Sequence, residues 1–251
     1  MTVAFVHGNP ATAEVWDYLL DALPSPGGDV VRLSPPGFGA PVPPGFSATV
    51  TGYRDWLIGE LSRLDGPVDL VGQDWGGAHV LNVAMTRPDL IRTWCSDAIG
   101  LFDPDYTWHG HAQIWQTPGE GEAWIAAALA HGAGDLTRRM IDQRCDPVIA
   151  ERMASHYDPG LGECILSLYR SAAQPAMAEL GTALGAAAAR PGLVVIPTAD
   201  HVVGTIDQRR RCAARAGAQV TVLDGYEHWW VTEGGGRRGA AVLTDFWSSL
   251  P

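Results

Sequence analysis

The sequence predicts an α/β fold, namely a mainly parallel sheet with helices on both faces and an inserted helical cap. Two observations lead to this prediction. Short apolar segments alternate with helical segments in the first and last parts of the chain, and strands separated by helices form parallel sheets that are covered on both faces. Between these parts, residues 104–175 contain helical pieces and aromatic-rich loops but no strand pattern. We therefore predict a core domain of residues 1–103 and 176–251 and a cap of residues 104–175.

The individual elements follow from apolar periodicity and from the residues that interrupt it. A helix predicted over residues 14–23 stops at Pro24, and a helix over residues 77–85 stops before Pro88, because proline disfavours helical backbone in the preceding residue. The predicted strands are 2–6, 29–33, 68–71, 91–97, 193–198 and 219–223. The remaining predicted helices are 50–64, 122–131, 147–156, 206–216 and 239–250.

The composition is that of a globular protein with an acidic excess. Among 251 residues there are 17 Lys and Arg against 28 Asp and Glu, which gives a net charge of −11. This charge argues against nucleic acid or an anionic membrane as a partner. The four cysteines are scattered without metal-ligand spacing, and the N-terminus lacks the basic region of a signal peptide. We therefore expect reduced thiols, a cytoplasmic location, no metal and no membrane span.

The segment VGQDWGG, residues 71–77, is the most informative part of the chain. It has the pattern of a nucleophile elbow, a sharp turn from a strand to a helix that exposes one side chain between small residues. Gly72 and Gly76 supply the small residues, and Asp74 takes the exposed position. A carboxylate there suits displacement at saturated carbon, because the ester that it forms can later be cleaved by water.

Two further side chains follow predicted strand ends in the order that a catalytic triad requires. Asp200 comes just after the strand 193–198, and His228 lies in a loop after the strand 219–223. The histidine would activate water, and the acid would fix its tautomer and stabilise its positive charge. Asp97 also ends a strand and is the alternative acid.

The segment HGNP, residues 7–10, follows the first strand, which we expect beside the elbow strand. The backbone N–H groups of Asn9 and Trp75 would then converge on one oxyanion. The glycine and proline of this segment are also explained by a tight turn alone, and an oxyanion hole is itself such a turn.

With these motifs the chain resembles α/β-hydrolases that use an aspartate nucleophile, the epoxide hydrolases and the haloalkane dehalogenases. The resemblance spans nearly the whole chain. It is carried by His7-Gly8-Asn9-Pro10, Pro36-Gly37-Phe38-Gly39, Gln73-Asp74-Trp75-Gly76-Gly77, Asp200 and His228-Trp229.

The cap segment favours epoxide hydrolases. These enzymes carry an aromatic-Gln-x-Pro-Gly segment with a proton donor, commonly Tyr, five residues before the Gln, and a Tyr-Arg pair later in the cap. Here residues 115–119 read WQTPG, the donor position holds His111, and Tyr169 precedes Arg170. The resemblance therefore implies that His111 and Tyr169 protonate the oxygen of an opened epoxide.

The expected reaction is hydrolysis of an epoxide to a vicinal diol through an ester on Asp74, which water activated by His228 then cleaves. No metal or organic cofactor is implied. The expected substrate is small and apolar or aromatic, with Trp108, Trp115 and His7 as the residues that contact it.

Two other functions remain open at the level of sequence. Trp75 with the side-chain amide of Asn9 resembles the halide-binding pair of haloalkane dehalogenases, in which His-Gly-Asn-Pro is common. The second open function is a non-catalytic binder of small molecules on the same scaffold. In such a protein the three triad side chains would not be within hydrogen-bond distance of one another.

Three structural expectations also come from the resemblance. Family members usually begin with an antiparallel hairpin, whereas this chain begins at the strand that ends in His-Gly, so we expect a shortened sheet. The exposed sheet edge is a candidate contact for a partner subunit in a homodimer. In the His-Gly-x-Pro turn of the family, we expect the Asn9–Pro10 bond to be cis.

Overall fold

The computed structural model describes residues 2–24, 28–232 and 234–250. Its centre is a six-stranded sheet with the strand order β2-β1-β3-β4-β5-β6, in which every neighbouring pair is parallel. The strands are β1 (Val3–Val6), β2 (Val30–Leu33), β3 (Val68–Gly72), β4 (Ile91–Ser96), β5 (Gly192–Pro197) and β6 (Gln219–Leu223). The predicted α/β fold is confirmed. Within the described ranges the sheet contains no antiparallel hairpin.

The sheet separates two apolar cores, because successive side chains of a strand point to opposite faces. In β1, Val3 and Phe5 pack in one core, whereas Ala4 and Val6 pack in the other. Strands β1, β3 and β5 are buried along their whole length, which explains why β1 and β5 read as apolar runs. Strand β3 includes one charged residue, Asp69, whose buried carboxylate accepts hydrogen bonds from Arg92 and Thr93. The edge strands β2 and β6 keep exposed positions such as Val30 and Val222.

Eleven α-helices are present in the described residues. They are α1 (Asp17–Ala22), α2 (Val50–Leu61), α3 (Trp75–Thr86), α4 (Gly110–Gln116), α5 (Glu120–His131), α6 (Ala133–Asp142), α7 (Pro147–Ser155), α8 (Pro159–Ser171), α9 (Ala176–Gly181), α10 (Ile206–Arg215) and α11 (Gly235–Ser248). Helices α2 and α3 belong to one core, and α1 packs against α11 in the other.

The segment predicted as a cap, residues 104–175, is helical in the structure. It contains α4 to α8 and none of the described strands. The sequence predicted α5 and α7 but missed α4, α6 and α8. Two of these three begin after polar caps, since His109 accepts the N–H of Ala112 and Asp158 accepts the N–H of Leu161. No described helix is long and apolar enough to cross a membrane.

Candidate active site

Asp74 occupies the strained corner between β3 and α3. Its backbone has φ 53° and ψ −129°, a left-handed conformation that is costly for a residue with a Cβ and is typical of functional turns. The turn closes only because Gly76 lies against the carbonyl of Val6, where a Cβ would overlap the backbone. The geometry is therefore that of the predicted nucleophile elbow.

The carboxylate of Asp74 is buried and faces backbone N–H groups. The N–H of Asn9 donates to its Oδ2 at 3.0 Å, and the N–H of Trp75 also stabilises its ionised form. Burial raises the pKa of Asp74, while His228 and these two amides act in the opposite direction. A Cβ on Gly8 would overlap the carboxylate, so the HGNP turn needs glycine there. The Asn9–Pro10 bond is cis, as predicted.

His228 connects the two acids that the sequence placed at strand ends. Its Nδ1 lies 3.1 Å from Oδ2 of Asp200, and its Nε2 lies 3.8 Å from Oδ1 of Asp74. The side-chain amide of Gln73 donates to the carbonyl of His228 at 3.2 Å, which ties the histidine loop to the elbow. The three side chains thus have the arrangement of a nucleophile, a base and an orienting acid.

The charges of these groups are coupled. Burial would lower the pKa of His228, but the neighbouring carboxylates, first Asp200 and then Asp74, outweigh burial and raise it to about 9. Burial likewise opposes ionisation of Asp200, yet the charge and hydrogen bond of His228 hold its pKa below the ordinary value. His228 is therefore an imidazolium at neutral pH while Asp74 is ionised.

Asp97, the alternative acid, has a different place. Its Oδ1 accepts the backbone N–H of Asp74 at 2.8 Å, and its Oδ2 accepts the indole N–H of Trp230 at 2.7 Å. Burial raises the pKa of Asp97 to about 7, although the hydrogen bond from Trp230 opposes the shift. Asp97 supports the main chain of the elbow, whereas the side chain that bonds His228 is Asp200.

Tyr169 of helix α8 brings a hydroxyl group to the nucleophile. Burial and the charge of Asp74 raise its pKa well above 10, while the adjacent side chains of Trp75 and Asn9 lower it. The ring packs edge-on against Trp75 at 5.4 Å and against Trp115 at 4.8 Å between centroids. Tyr169 therefore remains a neutral hydrogen-bond donor beside the site.

His111 does not lie beside Tyr169, contrary to the expectation of a pair. It is exposed, and its ring stacks on Trp115 and lies 5.5 Å from Trp124. The histidine beside Tyr169 is His109, with 6.0 Å between ring centroids. Helix α4 begins between the two histidines, and residues two apart on a helix point in different directions.

A pocket of about 90 Å³ lies between the core and the cap helices α4, α5, α6 and α8. Its core side is formed by Asn9, Pro10 and Trp229, and His111 contributes to its cap side. The other lining residues are Trp115, Trp124, Leu136, Arg139, Met140, Gln143, Tyr157 and Ile165. Asp74 is not among the lining residues, but Asn9, which donates to its carboxylate, is.

Two residues expected to contact substrate do not line this pocket. His7 is fully buried, and its Nδ1 contacts the carbonyl of Gly8 at 2.8 Å. The ring interacts electrostatically with His79 of helix α3, away from the pocket. Trp108 is buried and stacks on Trp75 at 5.8 Å. Of the two tryptophans predicted to contact substrate, Trp115 lines the pocket, while Trp108 packs against Trp75 and Tyr169.

Sequence reasoning named the side-chain amide of Asn9 but missed other polar groups of the site. Both polar atoms of the Asn9 amide are buried and make no hydrogen bond of ordinary geometry within the described residues. Arg139 of α6 lines the pocket, as do Gln143 and Tyr157, which follow the C-terminal ends of α6 and α7. Their place in the site depends on how the cap helices pack, which the sequence did not show. Among the residues that the structure describes, no group of three or more His, Cys, Asp or Glu side chains could hold a metal ion.

Residues 3–241 match the alpha/beta hydrolase family, and the chain belongs to this family. A haloalkane dehalogenase from Bradyrhizobium diazoefficiens is 29% identical over 175 residues, which are 58% of this chain and 53% of the relative. An epoxide hydrolase from Caballeronia sordidicola is 34% identical over 117 residues, which are 45% of this chain and 34% of the relative. The match thus spans about half and about a third of the lengths of these relatives.

Solved structures share the fold at lower identity. The haloalkane dehalogenase DbeA from Bradyrhizobium elkani has a TM-score of 0.73 at 22% identity, covering 99% of this chain and 91% of that one. An enol-lactonase from Burkholderia xenovorans has a TM-score of 0.72 at 19% identity over 99% and 91%. Because neighbours with different chemistry fit about equally well, the fold alone does not select a reaction.

Proposed function

We propose that this hydrolase opens epoxides to vicinal diols through a covalent ester on Asp74. The observation that carries the proposal is the protonated hydroxyl of Tyr169, which is held beside Asp74, Trp75 and Asn9. Opening an epoxide creates an alkoxide, and an alkoxide needs a proton donor that faces the nucleophile. Neither the sheet nor the triad requires a buried tyrosine hydroxyl at this place.

In the first step, a carboxylate oxygen of Asp74 attacks an epoxide carbon, and the bond between this carbon and the epoxide oxygen breaks. The oxygen takes the proton of Tyr169. Formation of the ester removes the negative charge of Asp74, and this charge is one of the causes that raise the pKa of His228. His228 therefore becomes more acidic and returns a proton to the tyrosinate.

In the second step, neutral His228 takes a proton from water, and the resulting hydroxide attacks the ester carbonyl. The oxyanion forms where the N–H of Asn9 now meets Oδ2 of Asp74, at 3.0 Å. Asp200 holds the imidazolium that results. The bond between the carbonyl carbon and the diol oxygen then breaks, and this oxygen takes the proton of the added hydroxyl group. The diol leaves, Asp74 is again ionised and His228 protonated, and one water is consumed in each turnover.

Hydrolysis of haloalkanes is the second candidate, and one specific observation favours it. The amide of Asn9 is buried, makes no hydrogen bond of ordinary geometry within the described residues, and lies beside Tyr169, which Trp75 also adjoins. Its N–H group, with the indole N–H of Trp75, suits a halide that leaves from the carbon attacked by Asp74. The relative from Bradyrhizobium diazoefficiens is a haloalkane dehalogenase.

The register of the triad argues against a purely non-catalytic binder. Such a protein has no need of a 3.1 Å contact between His228 and Asp200 or of a strained Asp74. A panel of terminal and aryl epoxides and of chloro- and bromoalkanes, scored for both diol and free halide, tests the proposal. Diol without halide is the expected result. Halide from the haloalkanes without any diol would replace the proposal by the second candidate.

A further inference from the structure

The cap side of the pocket contains a positive charge that the proposed reaction does not use. Arg139 is the arginine of the pocket lining, and no lining residue is acidic. Partial burial and the charge of Arg139 lower the pKa of His111, the histidine of the lining. The whole chain has a net charge of −11. A local cation in the pocket therefore favours an anionic ligand against this general repulsion.

The charge of Arg139 is only partly neutralised. Asp135 accepts the Nε–H of Arg139 at 2.7 Å, but the same carboxylate also pairs with Arg138. Two guanidinium groups thus share one carboxylate, and one positive charge remains. Among the described residues, the terminal amino groups of Arg139 have no other hydrogen-bond partner.

Two further donors line the same pocket. The hydroxyl of Tyr157 is buried and has no hydrogen-bond partner in the described chain. Burial raises the pKa of Tyr157, so the hydroxyl stays protonated, and the charge of the nearby Arg139 guanidinium opposes this shift. Gln143 adds an amide. A buried donor without a partner is costly, and a ligand acceptor would remove this cost.

The walls of the pocket between its core side and its cap side are apolar. Trp115 and Trp124 pack edge-on at 5.2 Å, and Leu136, Met140 and Ile165 complete the lining. On the core side, Asn9 contacts the carboxylate of Asp74. The pocket therefore has a reactive end, an apolar middle and a cationic cap side.

We propose that the substrate of this pocket is an aryl or alkyl compound with a carboxylate remote from its reactive carbon. Arg139 binds the carboxylate, Tyr157 and Gln143 donate to it, and the apolar body lies against Trp115 and Trp124. The proposal rests on the proposed function for the reactive end of the substrate. It concerns Arg139 of α6, Gln143 after α6, and Tyr157 between α7 and α8, which take no part in the chemical steps.

Binding of non-reactive ligands tests this selectivity without any turnover. Calorimetric titration of the wild-type chain with 4-phenylbutyrate and with its neutral amide, 4-phenylbutanamide, compares a carboxylate with a group of similar size. We expect the carboxylate to bind about 10-fold more tightly, as a charge-assisted hydrogen bond of about 1.5 kcal/mol predicts. Equal affinity for both ligands would overturn the proposal.

Arg138 provides a matched control for Arg139. Both arginines pair with Asp135, but only Arg139 lines the pocket. R139Q is expected to abolish the preference for the carboxylate, R139K to keep part of it, and R138Q to leave it intact. An equal loss in R139Q and R138Q would show a general charge effect and contradict the site.

Tyr157→Phe and added salt provide independent readouts. Loss of the hydroxyl is expected to weaken phenylbutyrate about 3-fold and to leave the amide ligand nearly unchanged. Raising the salt concentration should weaken phenylbutyrate more than the amide, because ions screen a half-exposed charge pair. An unchanged affinity of phenylbutyrate in Y157F would remove Tyr157 from the proposed site.

The two proposals can fail separately. If the carboxylate preference is found but no epoxide or haloalkane is turned over, the proposed reaction is wrong and the binding site stands. If neutral epoxides are hydrolysed but phenylbutyrate shows no preference, the reaction stands and the carboxylate site is wrong. With both in place, an epoxide that ends in a carboxylate should have a KM about 10-fold lower than its methyl ester, and R139Q should remove the difference.

Discussion

Nδ1 of His228 and Oδ2 of Asp200 are 3.1 Å apart, and the residues that hold them come from two different loops at the carboxyl edge of the sheet. This contact fixes which nitrogen of the imidazole points to Asp74. The competing carboxylate, Asp97, is occupied by the N–H of Asp74 and the indole of Trp230. The two acids therefore have separate tasks, one on the base and one on the backbone of the nucleophile.

Replacing each acid by its amide should separate these tasks. D200N should slow hydrolysis of the ester about 10²- to 10⁴-fold, because the amide cannot stabilise the imidazolium and favours the wrong tautomer. In D97N the side-chain amide can accept only one of the two N–H groups that Asp97 now accepts, those of Asp74 and Trp230. The main effect should therefore be a lower Tm. Single-turnover kinetics and thermal unfolding of both variants measure this difference. Equal slowing of ester hydrolysis in both would contradict the division.

Loss of the base should stop the reaction after its first step. In H228Q, Asp74 can still be alkylated, but no side chain activates water, so the ester should accumulate. Mass spectrometry after incubation with a reactive epoxide should then show a mass increase equal to the substrate on the peptide that contains Asp74. D74N treated in the same way is the control and should remain unmodified. An unmodified H228Q chain would exclude the covalent route for that substrate.

The hydroxyl of Tyr169 should matter for epoxides and much less for haloalkanes. Y169F should lower kcat for epoxide opening about 10²-fold or more, the usual contribution of a general acid. A halide leaves without a proton, so any release of halide should stay within a few-fold of the wild-type rate. Y53F is a suitable control, because the Tyr53 hydroxyl is also buried but donates to the carbonyl of Pro36. Similar losses in Y169F and Y53F would indicate a packing effect.

His79 should make the fold sensitive to acid. Burial lowers its pKa from 6.5 to about 3, and its ring nitrogens have no hydrogen-bond partner among the described residues. As the pH falls below 6.5, the unfolded chain binds this proton first, so the stability that comes from the neutral ring is lost. Between pH 6.5 and about pH 4.5 this loss amounts to about 2 to 3 kcal/mol.

The variant H79F should therefore lose less free energy of unfolding between these pH values than the wild-type chain. Phenylalanine keeps the stacking between Tyr53 and Trp75, which lie 5.0 and 5.8 Å from the ring of His79. Urea unfolding across this pH range measures the effect. H131Q, which changes an exposed histidine, should follow the wild-type curve. The same acid dependence in H79F and the wild type would contradict the assignment.

The sequence was sufficient for those parts of the fold that depend on local pattern. Buried strands read as apolar runs, and β6 was predicted at its observed bounds. The elbow was predictable because a sharp strand-to-helix turn requires small residues on both sides of the exposed side chain, and Gly72 and Gly76 flank Asp74 in this way. Asp200 and His228 followed from the rule that parallel strands end at one edge, where loops carry the chemistry.

The cap was less predictable, because its contacts depend on the direction in which each side chain points, and the spacing of residues in the sequence does not show this direction. Spacing from Gln116 pointed to His111, but the start of helix α4 turns this side chain to Trp124 and leaves His109 beside Tyr169. Helix α6 is amphipathic, with Leu136 and Met140 as its buried positions, but its spacing does not show which side chains of its polar face reach the pocket. Arg139 can be recognised as a pocket residue only when the position of α6 over the pocket is known.

The division of the chain into a core and a cap of residues 104–175 and a contact of the β2 edge with a partner subunit remain proposals. The first would be tested by limited proteolysis near the two boundaries. The second would be tested by the mass of the chain in solution. Neither changes the chemistry that we assign to Asp74, His228 and Tyr169.

Turnover in water enriched in heavy oxygen tests the central claim, that Asp74 is esterified by its substrate, most directly. Attack of water on the ester carbonyl places the solvent oxygen in the carboxylate of Asp74, so the peptide containing this residue should gain the label during a single turnover. The diol of this first turnover should contain unlabelled oxygen from Asp74. Label in the first diol and none in Asp74 would show direct attack of water on the substrate and contradict the covalent mechanism.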